Sequence, residues 1–348
     1  MKGNESFEES KVNYRKALAA FKNTGKIDDE CFYHDKSTCK GKIKLSHSIQ
    51  RNGRLSIIEG DINGNKQIYT FTDYEVGETT QVMRLKPIGK GSASTFFGFC
   101  DHHDTTLFSP IENNKFDNSD KHCFLHTYRA FAHSYHRKKE EIKAYNTESL
   151  FTENIPIADL YSFRNGLELS KNDQLSAKNK LDSLIENEEY NGLEYLSIIV
   201  PYSIPIACSS QISPFCTYSG KPFNNHSDAE KLYSIIMITV LPDHDQTIII
   251  LSCFPDDDLG MVFLDELDQL YDKEVTLFYR AISAILINYA ENTFFAPALW
   301  NALGVSGQKN LCKELEYSTS EHIDINCFPK SNINFFNKKF STNELRIK

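Results

Sequence analysis

Ser94–Glu112 reads STFFGFCDHHDTTLFSPIE: an apolar run, then Cys100-x-x-His103, then a stretch that opens a helix. Thr95–Phe99 is strand-sized and apolar, and Asp101 or Asp104 offers a side chain to cap a helix behind it. The two-residue spacer between Cys100 and His103 lets one knuckle present a sulfur and a nitrogen to a tetrahedral ion. Zinc takes S and N donors in closed four-coordination when its role is structural. A second pair lies upstream, Cys31 and Cys39, in a polar stretch where a core thiol is less expected. The set Cys31, Cys39, Cys100 and His103 is therefore the expected zinc site, with His34, His102 and Cys123 as alternatives for one ligand. The other cysteines, Cys208, Cys253 and Cys312 among them, sit in apolar stretches where a free thiol behaves as a small hydrophobe. Nine cysteines without a short-period framework fit a reducing compartment better than a disulfide scaffold.

Between the two ligand pairs, Ile43–His47 alternates as a strand, and Leu55–Ile58 and Ile68–Phe71 read as further short strands around a turn-rich DINGNK segment. IGKGSAS (Ile88–Ser94) is a glycine-rich loop, but the spacing before Lys90 and the missing GK[ST] exclude a Walker A loop. Residues 5–23 pattern as an amphipathic helix. A stronger helix spans about 119–146, with Phe124, Leu125, Tyr128, Phe131, Ala132 and Tyr135 at three- and four-residue intervals. Its other residues include His122, His126, His133, His136, Arg129, Arg137, Lys138 and Lys139, which read as a solvated basic face.

The composition turns polar and acidic near 145–175, which places a domain boundary there: 1–146 around the zinc, and 147–348 as an acidic α+β unit. In the second unit, helices are predicted at about 174–188, 260–271 and 274–292. Strands are predicted at 196–202, 235–241 and 247–254, the last two joined by the PDHDQ turn. The whole is an α+β protein. Net charge is −9, yet the halves differ: residues 1–144 hold 23 Lys/Arg against 19 Asp/Glu, and 145–348 hold 15 against 28. Six basic residues and no acid lie between Lys36 and Arg54, a pattern that suits a polyanion. The N-terminus is polar with no apolar signal region, and no run reaches the roughly 18 apolar residues of a membrane span, so the expected location is cytoplasmic.

Two further residues have no place in a structural zinc site. His47 ends the strand after the Cys31/Cys39 segment, and Asp104 follows the last ligand at the start of a helix. With Cys31, Cys39, Ser46-His47, Cys100, His103 and Asp104 in this order, residues 28–115 resemble the zinc-containing HNH (His-Me finger) endonucleases. The outline is also similar to bacterial proteins linked to phage defence. The resemblance implies a zinc-stabilised ββα-metal or treble-clef-like fold for the N-terminal domain and phosphodiester hydrolysis of DNA or RNA. It also implies His47 as base and Asp104 as ligand of a catalytic Mg²⁺ or Mn²⁺. Three features depart from the family pattern. The first knuckle has seven residues between its cysteines, Ser46 stands where an acid precedes the histidine, and near fifty residues separate His47 from Cys100. Asn52, Asn63 and Asn65 lie in that insert. The expected partners are nucleic acid at the N-terminal domain and a protein at the C-terminal one. The alternative is a non-catalytic zinc module of a multiprotein defence or regulatory complex.

Overall fold

Two segments, IMITVLP and TIIILSC, are β-branched and aliphatic on both alternating faces, which suits strands covered on both sides. A computed structural model describes residues 30–71, 75–76, 81–82, 85–145, 157–224, 232–318 and 324–347. The predicted helix over residues 5–23 lies outside them. In chain order the elements are β1 (Ile43–His47), α1 (Arg54–Ile57), β2 (Gly60–Ile62), β3 (Asn65–Phe71), β4 (Glu75–Val76), β5 (Gln81–Val82), β6 (Leu85–Ile88) and β7 (Thr95–Cys100). Then come α2 (Asp101–Asn113), α3 (Asp120–Tyr145), α4 (Ile157–Glu186), β8 (Glu194–Val200), β9 (Ile206–Ile212), β10 (Ile236–Pro242) and β11 (Thr247–Cys253). The chain continues with α5 (Asp258–Lys273), α6 (Val275–Asn288), β12 (Thr293–Phe295), α7 (Pro297–Ala302) and α8 (Gly304–Ser318).

The main sheet is antiparallel, in the order β2-β3-β12-β9-β10-β11-β8, with β6 on β3. Every residue of β10 and β11 is buried, because both faces are covered. Ile236, Ile238, Val240, Ile249 and Leu251 pack with Phe263, Phe278, Ile282 and Ile285 of α5 and α6. On the other face, Met237 packs beneath α3 with Phe124 and Phe131, and Ile248 and Ile250 join Ile49, Leu55 and Phe294. The protein is mixed α and β, as the sequence implies.

The PDHDQ hairpin forms as expected, pairing Pro242 with Thr247. Leu55–Ile58, by contrast, is helical rather than a strand. Gly53 carbonyl accepts from Ser56 and Ile57, and the three-residue spacing puts Leu55 and Ile58 into one core.

The division at 146/147 does not separate two cores. β3, from the first part, pairs with β12, from the second, with Thr70 opposite Phe294. Arg54 reaches across to Asp243 Oδ1 at 2.6 Å and to the Pro242 carbonyl at 3.2 Å. Asn292 Nδ2 donates to Ser48 Oγ at 2.8 Å and to the Ser209 carbonyl at 2.6 Å. The insert between His47 and Cys100 is thus no loop: it carries β2, β3 and β6 into the main sheet. Its return brings β7 back beside β1, with His47 opposite Thr95 and Ile43 opposite Cys100. Among the described residues, no helix is long and apolar enough to cross a membrane.

Candidate metal centre

β7 ends in Cys100, and the chain turns directly into α2. Cys100 itself is the N-cap, its sulfur accepting from His103 N at 3.5 Å, so neither Asp101 nor Asp104 caps this helix. The first helical turn then carries His103 back over the same sulfur, with Cys100 Sγ and His103 Nδ1 3.2 Å apart. Cys31 and Cys39 come from the segment before β1. Phe32 holds that segment down, its ring edge-on to Phe99, Tyr128, Phe131 and Tyr135 at centroid distances of 5.2–6.0 Å. Phe32 N also donates to the Gly98 carbonyl at 2.5 Å. Gly98 lies where two residues of β7, Phe97 and Gly98, oppose Leu45 alone, a bulge that twists the strand pair.

The four donor atoms of Cys31, Cys39, Cys100 and His103 lie within 4.8 Å of one another. His103 Nδ1 stands 3.4 Å from Cys31 Sγ, 3.6 Å from Cys39 Sγ and 3.2 Å from Cys100 Sγ. A zinc tetrahedron with ordinary bond lengths has S···N edges of about 3.6 Å, close to the three S···N separations seen here. The far side of the imidazole is fixed as well. Nε2 lies 3.1 Å from Thr38 Oγ1, which donates to the Asp35 carbonyl at 2.9 Å. With Nε2–H engaged there, the Nδ1 lone pair faces the three sulfurs.

Burial and main-chain contacts set the protonation of these donors. Burial pushes the Cys31 thiol up, and burial with the neighbouring sulfurs pushes Cys39 up to about 12. Cys100 goes the other way: burial raises it, but main-chain groups of His103 and Lys40 at its sulfur outweigh that and lower it. Burial holds His103 below the ordinary histidine value and therefore neutral. Three thiols and a neutral imidazole are a Cys3His donor set that can hold a metal ion such as zinc. His34, His102 and Cys123 lie outside this set.

The other two expected site residues flank this centre. His47 closes β1, its ring bonded to the main chain of Lys90 in the glycine-rich loop. Its Nε2 is buried without a partner. Burial lowers the His47 pKa, with the charges of Arg51 and Arg129 acting the same way and that of Asp104 opposing them. Asp104, in the first turn of α2, also has one buried oxygen, Oδ1, without a partner. Its Oδ2 is 3.2 Å from Lys44 Nζ, which also contacts Asp101 at 3.0 Å.

Two features escape a linear reading. Arg129 is buried, paired with Glu112 and 4.3 Å over the Phe108 ring. More broadly, the helix face bearing His122, His126, Arg129, His133 and His136 is not solvated: all five are buried, none more than 9% exposed. Their spacing of four, three, four and three residues is itself the signal of a covered stripe. The acid-free run from Lys36 to Arg54 is not acid-free in space either. Lys36 meets Glu30, Lys44 meets Asp101 and Asp104, and Arg54 meets Asp243, while Lys40, Lys42 and Arg51 stay exposed. No family model, curated protein or solved structure matches the chain.

Proposed function

We propose that this chain is a metal-dependent nuclease built on a zinc-stabilised ββα finger of the HNH type, cleaving phosphodiester bonds of DNA or RNA. One observation carries the reading. β1, β7 and α2 surround the Cys3His cluster in strand–strand–helix order, with His47 at the end of the first strand and Asp104 in the first helical turn. His47 and Asp104 each leave one buried polar atom without a partner. Such orphans are rare unless water, an ion or a ligand completes them.

In this reading His47 is the base. Bonding of the ring to the Lys90 main chain orients it, and its lowered pKa keeps it neutral near pH 7, so Nε2 can take a proton from water. That water oxygen bonds to phosphorus as the bond to the leaving oxygen breaks, and a solvent proton completes the alcohol. Mg²⁺ or Mn²⁺, when bound, supplies charge neutralisation at the scissile phosphate. Asp104, now in contact with Lys44, would hold that hard cation through oxygen. Lys40, Lys42 and Arg51 give the polyanion its nearest exposed cations.

Incubation of the full chain with plasmid, single-stranded DNA and RNA, each with Mg²⁺ or Mn²⁺, tests this beside His47→Ala. Cleavage by the unaltered chain alone supports the reading, and equal cleavage by both removes His47 from the reaction. A second reading, a non-catalytic zinc module of a multiprotein complex, draws on the cover over His47 Nε2 and the Lys44 contact that already occupies Asp104. No cleavage of any substrate, with zinc retained, favours it.

A further inference from the structure

The buried stripe of α3 crosses the residues that follow β1, and there it borders a cavity of about 10 Å³. That is the space open to the centre of a small sphere, room for one monatomic occupant. Five polar residues line it, Ser48, Gln50, Arg54, His126 and Arg129; the remainder of the wall is aliphatic, and no carboxylate lines it.

We propose that this cavity is a binding site for a single monatomic anion, chloride in ordinary buffers. The polar wall is rich in donors. Arg129 is only 4% exposed, and its Nε has no partner. Ser48 Oγ accepts from Asn292, which leaves the hydroxyl proton for another acceptor. Gln50 uses one amide hydrogen on the Glu112 carbonyl at 2.9 Å and keeps the second. Arg54 adds a second guanidinium. Water accepts two hydrogen bonds and must itself donate two, and the side-chain acceptors at this wall, the Gln50 amide oxygen and the unprotonated His126 nitrogen, are fewer than its donors. A halide accepts from every side and donates nothing.

The electrostatics agree. Burial, then the charges of Arg54 and Arg129, hold His126 in its neutral form, so both guanidinium groups act on this wall. The carboxylates that pair with the two arginines, Asp243 and Glu112, stand outside the lining. This site is separate from the zinc cluster, and it does not depend on the nuclease reading.

Crystals of the full chain grown in bromide provide the direct test. An anomalous bromide peak in the cavity is the expected result. In solution, exchanging gluconate for bromide from 1 to 200 mM at constant ionic strength should raise the melting temperature by about 2 °C, by mass action on the folded state. Gluconate is too large to enter. Ser48→Asp places a fixed carboxylate at the wall and should erase the bromide dependence. No anomalous peak, together with identical melting in both salts, overturns the proposal and leaves the cavity to water. If Ser48→Asp does not fold, the two measurements on the unaltered chain decide alone.

Discussion

Replacing Cys100 by serine isolates the metal from the rest of the local structure. Cys100 Sγ caps α2 by accepting from His103 N, and serine is a good N-cap, so the helix start survives while a sulfur ligand is lost. The consequence falls on the segment before β1. Ordering the ten residues Cys31 to Lys40 costs about 10–20 kcal/mol of chain entropy. Burial of Phe32 returns about 3 kcal/mol. Main-chain bonds from Phe32, Cys39, Asp101 and His102 add about 1 kcal/mol each. The remainder, roughly 3–13 kcal/mol, is within what structural zinc supplies in small folds, about 10–16 kcal/mol. The segment should therefore stay ordered only with metal bound. Elemental analysis should find one zinc per chain in the unaltered protein and little in Cys100→Ser, while the exposed Cys327 replaced by serine keeps its zinc. Amide exchange should lose protection over 31–42 in Cys100→Ser and keep it in β10 and β11, whose core is made elsewhere. Unaltered protection over 31–42 in metal-free protein would refute the reasoning.

Three other outcomes are expected. The pH profile of kcat/KM should hold its plateau from neutrality to below the ordinary histidine value and fall only as His47 gains its proton at the lowered pKa; a fall centred above pH 7 counts against His47 as base. Arg54→Met leaves Asp243 and the Pro242 carbonyl without their buried partner. It should cost about 3–5 kcal/mol in denaturant unfolding, and a loss under 1 kcal/mol would show that the contact joining the two halves of the chain is unimportant. Gly98→Ala puts a Cβ 2.0 Å from the buried Phe96 ring, so about 1–3 kcal/mol should be lost by overpacking at the β7 bulge; an unchanged melting temperature would mean the ring has room to move.

The cluster of candidate metal donors was legible because donor chemistry belongs to the residue type, and because Cys100-x-x-His103 spans a strand-to-helix junction that local pattern reveals. The β10–β11 hairpin and helices α3, α5 and α6 were legible for a similar reason: apolar periodicity and turn residues act over a few positions. Their observed ends differ from the expected ones by a few residues. α4 is the exception, beginning at Ile157 well before the apolar pattern that marks its second half.

What tertiary structure alone decided is everything that depends on distant neighbours. A charge-composition shift near residue 146 cannot show that β3 pairs with β12, since strand pairing is set by register across more than two hundred residues. Periodicity shows that one face of α3 is apolar, but it cannot show that the histidine face is covered too. That follows only when β7 and the main sheet close against the helix. In the same way, Lys44 and Asp104 are sixty residues apart in sequence and 3.2 Å apart in space. Local chemistry chose the metal donors, and the return of the chain through the sheet, bringing β7 back against β1, placed them around one point.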